Sequence, residues 1–285
     1  MAERTIFIED RCKLSSSNRH LIAEKKEEKQ EYHFDEFDTI IVSSSDVNFS
    51  VLLMQSLIEE EKTIIVCDSR RFPSVSMLPM FGTQDCFCRL TEQMSWPQVA
   101  KDEVWRGIVE NKIENQKTVL KKFNSVCLRD YCVAPGDASN AEGKYASIYF
   151  RRLFGRTFRR QRGADAINCA LDYGYTILCS QMARIIAAHG YNTALGVHHI
   201  GKNNNYNFAC DLVEPFRPLV DIVVKENQNR ELDRLYKTLL IEAAYSDVSY
   251  GGKTVSAKQA MELFFLDVVR IVKNGSKFEN KVVIV

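Results

Sequence analysis

The stretch "ADAINCALDYGYTILCSQMARIIAAHG", residues 164–190, decides what kind of fold this chain adopts. Its apolar residues fall on nearly every side of a helix, and it ends on a glycine, a residue that commonly closes helices. A helix that is apolar all round has to be buried among other elements. The stretch therefore predicts the central helix of a helical bundle.

The sequence on both sides of this helix also favours helices. The segment 96–123 has a proline near its first turn and then a long amphipathic pattern. Further helices are predicted from about residue 139 and over 255–275. The apolar tail "KVVIV", residues 281–285, favours a strand, which either joins a partner's sheet edge or packs into its own domain.

Residues 1–78 follow a different pattern. Short runs rich in β-branched and aromatic residues alternate with polar turns, as in "RTIFIED", "HLIAEK", "EYHFDE", "DTIIVSS" and "KTIIVCD". One helix is predicted over 49–61. The expected fold class is α+β: a small, mostly antiparallel N-terminal β domain (1–78) followed by a larger all-α helical domain (79–285).

Charge is divided unevenly between these two regions. Residues 1–78 hold 10 basic and 15 acidic side chains, so the other 28 basic and 22 acidic groups leave residues 79–285 positive. Six arginines crowd the run "RRLFGRTFRRQR", residues 151–162. Guanidinium groups at this density favour a phosphate partner such as nucleic acid, although a solvated helix face or an anchor for an acidic protein is the alternative.

Other bulk features point to a cytosolic protein without a membrane segment. No stretch approaches the roughly 18 apolar residues of a membrane span, and the N-terminal residues lack the basic-then-apolar order of a secretory signal. Nine cysteines with no repeating spacing suggest reduced thiols. Cys86 and Cys88 alone hint at zinc, but no second pair follows at the spacing of a zinc finger.

Two adjacent histidines, His198 and His199, come before a segment rich in carboxylates. Side chains of neighbouring residues point in different directions, so only one of the two is expected to face a given site. A histidine in such a region is either a ligand or a hydrogen-bonded core residue, and the residues alone leave both open.

The carboxylates in question are Asp211 and Glu214. If a helix starts near Asn207, they lie three residues apart on one face, and Arg217 can neutralise Glu214. Pro215 would disturb such a helix unless it lies in an early turn. The alternative for Glu214 is a surface charge that simply pairs with Arg217.

A third carboxylate, Glu142, follows Ser139 by three residues at a predicted helix start. This spacing is that of a capping box, in which the glutamate binds a backbone N–H of the cap. Spacing alone favours this capping interpretation over a functional one.

Four motifs together carry a resemblance to a known family. "NAEGKYASIYFRRLFG", "INCALDYGYTILCS", "LGVHH" and "NFACDLVEPFRPLVD" occur in the order found in the CRISPR-associated integrase of the spacer-acquisition module. This family is a metal-dependent endonuclease that inserts new spacers into CRISPR arrays. The chain is most similar to the version that accompanies type II systems, and the resemblance extends over nearly the whole chain.

The resemblance implies a site, a cofactor and partners. Its residues would be Glu142, His199 and Glu214 around one Mg²⁺ or Mn²⁺, with Asp211 and Arg217 beside them and His199 either a ligand or also a general acid. The partners would be double-stranded DNA (the protospacer and the CRISPR repeat), a second copy of the chain through the β domain, a small ferredoxin-like adaptation protein and further type II CRISPR subunits. The six arginines would bind DNA: Arg151, Arg152, Arg156, Arg159, Arg160 and Arg162.

The implied reaction is a transesterification in which a DNA 3′-OH attacks the phosphodiester at the repeat end. Two other functions compete with it. One is a non-catalytic DNA-binding scaffold in a nucleoprotein complex, in which the acidic residues are structural. The other is a stand-alone metal nuclease for branched or damaged DNA.

Overall fold

The structure is a computed structural model that separates into two compact units, residues 1–82 and 83–285. The predicted domain boundary after residue 78 lies outside the described residues. The structure describes residues 5–25, 28–69, 72–77, 85–125, 132–275 and 278–285.

The described residues of the first unit form two four-stranded sheets and one α-helix. One sheet has the strand order β1-β5-β7-β8 and the other β4-β3-β2-β6. A core of buried aliphatic and aromatic side chains, including Leu14, Leu21, Phe34 and Leu53, holds the unit together. The elements are β1 (Thr5–Ile8), β2 (Cys12–Ser17), β3 (His20–Lys25), β4 (Glu28–His33), β5 (Thr39–Val42), β6 (Val47–Phe49), α1 (Val51–Glu59), β7 (Thr63–Cys67) and β8 (Pro73–Met77).

These sheets are less antiparallel than the sequence suggested. Among the described strands, β1–β5, β5–β7 and β2–β6 pair in parallel, whereas β2–β3, β3–β4 and β7–β8 are antiparallel. All four residues of β5 are buried, as are the first three of β7. Continuous apolar runs of this kind are typical of parallel strands covered on both faces, whose connections pass through other elements.

The second unit is mostly helical, which confirms the predicted order of a β region followed by a helical region. Its helices are α2 (Cys86–Met94), α3 (Gln98–Lys122), α4 (Ala141–Phe154), α5 (Ala166–Ala188), α6 (Asn207–Leu212), α7 (Arg217–Glu226), α8 (Arg234–Glu242) and α9 (Ala257–Asn274). Helix α5 is the predicted central helix: it packs against α6, α7, α8 and α9. Asp165 caps it by accepting the Asn168 N–H.

This unit is not all-α, however. Strands β9 (Asp247–Tyr250), β10 (Lys253–Ser256) and β11 (Val282–Ile284) form a sheet in the order β10-β9-β11. Strand β11 is the apolar tail, and it pairs antiparallel with β9 of its own unit. Of the two alternatives for the tail, packing into its own domain is therefore the one found.

The tail is held on its other side by α3. Asn111 accepts the Val282 N–H at 2.9 Å and donates to the Val282 carbonyl at 2.7 Å, and Asn115 accepts the Ile284 N–H at 3.3 Å. In the described part of the chain, no helix combines the length and the apolar character that crossing a membrane requires.

Candidate active site

Helix α3 brings a lysine into the interior of the second unit. The Lys112 side chain is only 6% exposed, and its ammonium contacts Glu142 Oε1 and lies 2.5 Å from Glu214 Oε2. Burial lowers the pKa of Lys112, but the Glu214 and Glu142 carboxylates more than offset this, so its pKa lies above the ordinary value. Lys112 is therefore a charged residue bridging two carboxylates that are 72 residues apart in sequence.

Glu142 lies in the first turn of α4, which other residues cap. Asn140, in the left-handed conformation (φ 52°), accepts a backbone N–H from the turn, and Asp137 Oδ2 accepts the Glu142 N–H at 2.9 Å. Ser139 is not the cap, so the capping-box interpretation of Glu142 was wrong. The carboxylate points to Lys112 instead, whose charge lowers the pKa of Glu142 although burial opposes it.

Glu214 is positioned by the break that Pro215 imposes on its segment. Helix α6 ends at Leu212, a 3₁₀ turn spans Glu214–Phe216, and α7 starts at Arg217. Pro215 has no N–H to donate to the Asp211 carbonyl, so the regular hydrogen bonding of α6 stops before it and a 3₁₀ turn follows. The Pro215 carbonyl accepts a hydrogen bond from Asn115 Nδ2 at 2.8 Å, which ties the turn to α3.

This turn buries the Glu214 carboxylate, whose side chain is 4% exposed. Oε1 lies 3.0 Å from Arg217 Nη1, whereas Oε2 faces Lys112 but accepts no hydrogen bond of good geometry from any residue that the structure describes. The expected pairing of Glu214 with Arg217 is present, but inside the protein and not on its surface. A buried carboxylate oxygen without a hydrogen bond is costly unless a cation neutralises it.

Asp211 has a different environment from that of Glu214. Its carboxylate is fully buried and accepts the backbone N–H groups of Val197, His198 and His199 at 2.7 to 3.2 Å. It also binds His199 Nδ1 at 2.5 Å, and this hydrogen bond raises the pKa of His199 while burial opposes it. Asp211 thus fixes the loop and orients the imidazole, which leaves Nε2 as the ring nitrogen for a ligand.

The two histidines have separate environments, as their adjacency predicted. His198 stacks on Trp105, with ring centroids 4.2 Å apart and an interplanar angle of 3°, and burial lowers its pKa. His199 meets the same tryptophan edge-on, and its side chain remains 44% exposed. Trp105 precedes Lys112 by two helical turns, so one face of α3 supports both the histidines and the carboxylates.

The structure thus brings the predicted residues Glu142, His199 and Glu214 into one neighbourhood. Lys112 contacts both glutamates, and electrostatic interaction links His199 to each of them. Among the described residues, no three His, Cys, Asp or Glu side chains form a ready metal-binding group. The Lys112 ammonium supplies the positive charge between the two glutamates that a metal cation would otherwise supply. Two carboxylates and one imidazole are a donor set that fits Mg²⁺ or Mn²⁺.

A cleft of about 500 Å³ opens beside Glu142. It connects the site to the arginine run, and aromatic rings of Phe150, Phe158 and Tyr175 line it as well. Its walls are rich in cations, namely Lys112, Arg151, Arg159, Arg160 and Arg217. Such a surface attracts phosphate groups towards Glu142.

The six arginines differ in how free they are to bind a phosphate. Arg160 is half-buried: it pairs with Asp172, donates to Asn168 Oδ1 at 3.0 Å and lies over the Tyr175 ring. The other five are exposed. Arg160 therefore holds the loop before α5 in place, whereas Arg159 presents its guanidinium at the cleft.

Sequence reasoning missed Lys112 and Trp105. Both lie on the buried stripe of α3, together with Ile108, Asn115 and Val119. A lysine at the spacing of the buried residues Trp105, Ile108 and Val119 was a signal that could have been read, because a buried lysine requires a carboxylate partner. The sequence did not indicate which carboxylates would pair with Lys112.

Comparison with known proteins assigns the family. The family model described as CRISPR associated protein Cas1 matches residues 6–234. A CRISPR-associated endonuclease Cas1 from Neisseria meningitidis is 31% identical over 230 residues, which cover 79% of this chain and 75% of that protein. The chain belongs to the Cas1 family.

A more distant sequence relative agrees with this assignment, and two solved structures share the fold. A CRISPR-associated endonuclease Cas1 from Pyrobaculum aerophilum is 25% identical over 266 residues, covering 84% of this chain and 89% of the relative. Among solved structures, a casposase bound to its integration product has a TM-score of 0.77 at 20% identity and covers 98% of this chain and 92% of its own. A CAS1 protein from Thermotoga maritima has a TM-score of 0.71 at 14% identity, with coverages of 96% and 99%.

Proposed function

We propose that this protein is a DNA endonuclease and integrase of CRISPR adaptation, with Glu142, His199 and Glu214 holding one Mg²⁺ or Mn²⁺. The observation that carries the proposal is the convergence of two distant glutamates on one buried cation position, next to a histidine whose Nδ1 is fixed by Asp211. A charge arrangement built only for stability would not need the exposed imidazole beside it.

Each residue has a distinct task in this proposal. The ion, when bound, would stabilise the charge that develops on the scissile phosphate and activate the attacking 3′-OH. Glu142 and Glu214 would hold it through carboxylate oxygens, and His199 through Nε2. Alternatively, His199 would protonate the leaving oxygen, a role that fits its raised pKa and exposed ring. The arginines of the cleft would orient the DNA backbone.

The relatives support the same class of reaction. The two curated proteins are named CRISPR-associated endonucleases, and the casposase structure contains an integration product. A chain of a partial Cas6-RT-Cas1–Cas2 complex also has this fold, with a TM-score of 0.55 at 16% identity and coverage of 97% of both chains. We also propose two binding partners for this protein. They are a small ferredoxin-like protein and a second copy of the chain, which would bind through residues 1–78.

The experiment compares Glu142→Gln and Glu214→Gln with Glu226→Gln, an exposed acid on α7. The assay joins a DNA 3′-OH end to a repeat target in Mn²⁺, with and without EDTA. Loss of a residue that merely supports a metal ligand costs about 10- to 100-fold, so loss of a ligand should cost at least about 100-fold. Glu226→Gln should remain near the wild-type rate, and EDTA should abolish joining.

Two results would redirect the proposal. Joining at the wild-type rate by both glutamate variants would favour the DNA-binding scaffold, because the acidic residues would then be structural. Efficient cleavage of branched DNA without any second protein, together with no joining, would favour the stand-alone nuclease. The glutamine substitutions keep the side-chain volume, and Trp fluorescence would show whether the fold survives.

A further inference from the structure

Two cysteine thiols meet directly beneath the candidate site. Cys179 on α5 and Cys210 on α6 have Sγ atoms 3.8 Å apart, and both residues are partly exposed and reduced. Asn204 Nδ2 donates to the Cys210 sulfur at 3.7 Å. This pair has no part in holding the proposed ion.

The separation is short enough for a covalent link. A disulfide has an S–S length of about 2.05 Å, so the sulfurs must approach by a little under 2 Å, which rotation of the side chains and a small shift of α6 could supply. Helix α6 has only six residues and ends in the turn at Glu214, so it is the element that would move. Helix α5 is the buried centre of the unit.

We propose that Cys179 and Cys210 form a reversible disulfide that responds to hydroperoxides and weakens the metal site. The Cys210 thiolate attacks the peroxide oxygen, which gives a sulfenic acid and releases water or alcohol. The Cys179 sulfur then displaces the hydroxyl from that sulfenic acid as water, so two thiols and one peroxide give one disulfide.

The electrostatic environment suits Cys210 to the attacking role. The hydrogen bond shared with Cys179, together with the Asn204 amide that donates to the Cys210 sulfur and the charge of Arg217, lowers the pKa of Cys210 to about 6 although burial opposes it. The same pairing, together with burial, raises the pKa of Cys179 well above its ordinary value. Cys210 is therefore the nucleophile, and Cys179 the thiol that resolves the intermediate.

The link to the site runs through the next residue in the chain. Asp211 follows Cys210 and binds three backbone N–H groups of the histidine loop together with His199 Nδ1. Drawing Cys210 towards α5 moves this carboxylate and shifts His199 from the glutamates. This part of the proposal rests on the proposed function, because it takes His199 as a metal ligand.

The first measurement needs no metal. The reduced full-length protein is treated with hydrogen peroxide, and the disulfide is identified by mass as the loss of two hydrogens and as a cross-linked pair of tryptic peptides. Peptide 163–184 contains Cys169 as well as Cys179, so fragment ions and the control variant Cys169→Ser assign the link. Cys179→Ser and Cys210→Ser should abolish it, and dithiothreitol should reverse it in the wild type.

The exposed thiols Cys88 and Cys132 provide an internal reference for reactivity. The pair should cross-link at peroxide doses that leave these two largely alkylatable. Absence of the cross-link in folded protein, or oxidation of the exposed thiols first, would overturn the proposal.

The second measurement is Mn²⁺ affinity of the reduced and oxidised protein, followed by electron paramagnetic resonance. We expect oxidation to weaken binding roughly tenfold, the lower range for losing a residue that orients a metal ligand. Cys179→Ser treated with peroxide should keep the reduced-state affinity. A disulfide that leaves the affinity unchanged would overturn the regulatory claim, whereas a reduced protein that binds no Mn²⁺ would refute the proposed function instead.

Discussion

Replacing Lys112 with methionine removes the cation that contacts both glutamates. Methionine keeps most of the length of the buried side chain, so packing along α3 changes little. Without Lys112, Glu214 keeps its ion pair with Arg217 alone among the described residues, and Glu142 loses the partner that contributes most to its lowered pKa. The group of two glutamates, one lysine and one arginine changes from neutral to a net charge of −1.

The size of the effect follows from burial. Lys112 and Glu214 are 6% and 4% exposed, so solvent screens this pair little. Removing one partner of a buried ion pair costs about 3–5 kcal/mol, because the other charge remains uncompensated. We expect the free energy of unfolding of Lys112→Met in EDTA to fall by that amount.

A divalent ion should reverse much of this loss. Two unit charges of like sign 4 Å apart repel by about 4 kcal/mol near a protein surface, and each 1.4 kcal/mol is a factor of about ten in affinity. The variant should therefore bind Mn²⁺ at least about tenfold more tightly than the wild type. Ligand at 100 times its dissociation constant adds about 2.7 kcal/mol of stability.

The assay is urea unfolding followed by tryptophan fluorescence, with EDTA or Mn²⁺. Both tryptophans of the chain, Trp96 and Trp105, belong to residues 83–285, so the signal reports the unit that holds the site. Lys121→Met, an exposed lysine of the same helix, is the matched control and should change stability by less than about 0.5 kcal/mol. A Lys112→Met protein as stable in EDTA as the wild type, or one with weaker Mn²⁺ binding, would refute the reasoning.

Two further predictions follow from the arginine run and from a buried aspartate. Arg159→Ala should weaken DNA binding equally for all sequences and reduce the slope of log affinity against log salt concentration by about one, measured by fluorescence anisotropy. Arg160→Ala should mainly lower the stability of the protein. A loss of affinity for some sequences only would mean that Arg159 reads bases. Asp221 is held by Tyr149 and Tyr175, and burial raises its pKa from the ordinary 3.8 to about 6. The folded state binds the Asp221 proton more tightly than the unfolded state, so the free energy of unfolding of the wild type should fall by about 3 kcal/mol from this group as pH rises from about 4 to about 6. Urea titrations of Asp221→Asn should lack that decline. If the wild type and Asp221→Asn show the same dependence of stability on pH, the prediction is wrong.

Much of the fold was predictable because it rests on local patterns. The all-round apolar helix, the amphipathic α3 and the short β runs each have a periodicity that one segment displays alone. Strand direction in the first unit was not predictable in this way, because pairing depends on which distant segments meet. The strand of the tail had two possible partners for the same reason.

Local sequence patterns were enough to predict the order of a β region and a helical region, to carry the resemblance to the family, and to name Glu142, His199 and Glu214 as candidate site residues. Only the tertiary structure placed Lys112 between the two glutamates, gave Asp211 to the histidine loop, and set Arg160 apart from its neighbours. A charged side chain can be buried only where the folded chain places an oppositely charged group in contact with it. The packing of α3, α4 and the turn at Pro215 brings Lys112 to the two glutamates, and this contact cannot be read from any one segment of the sequence.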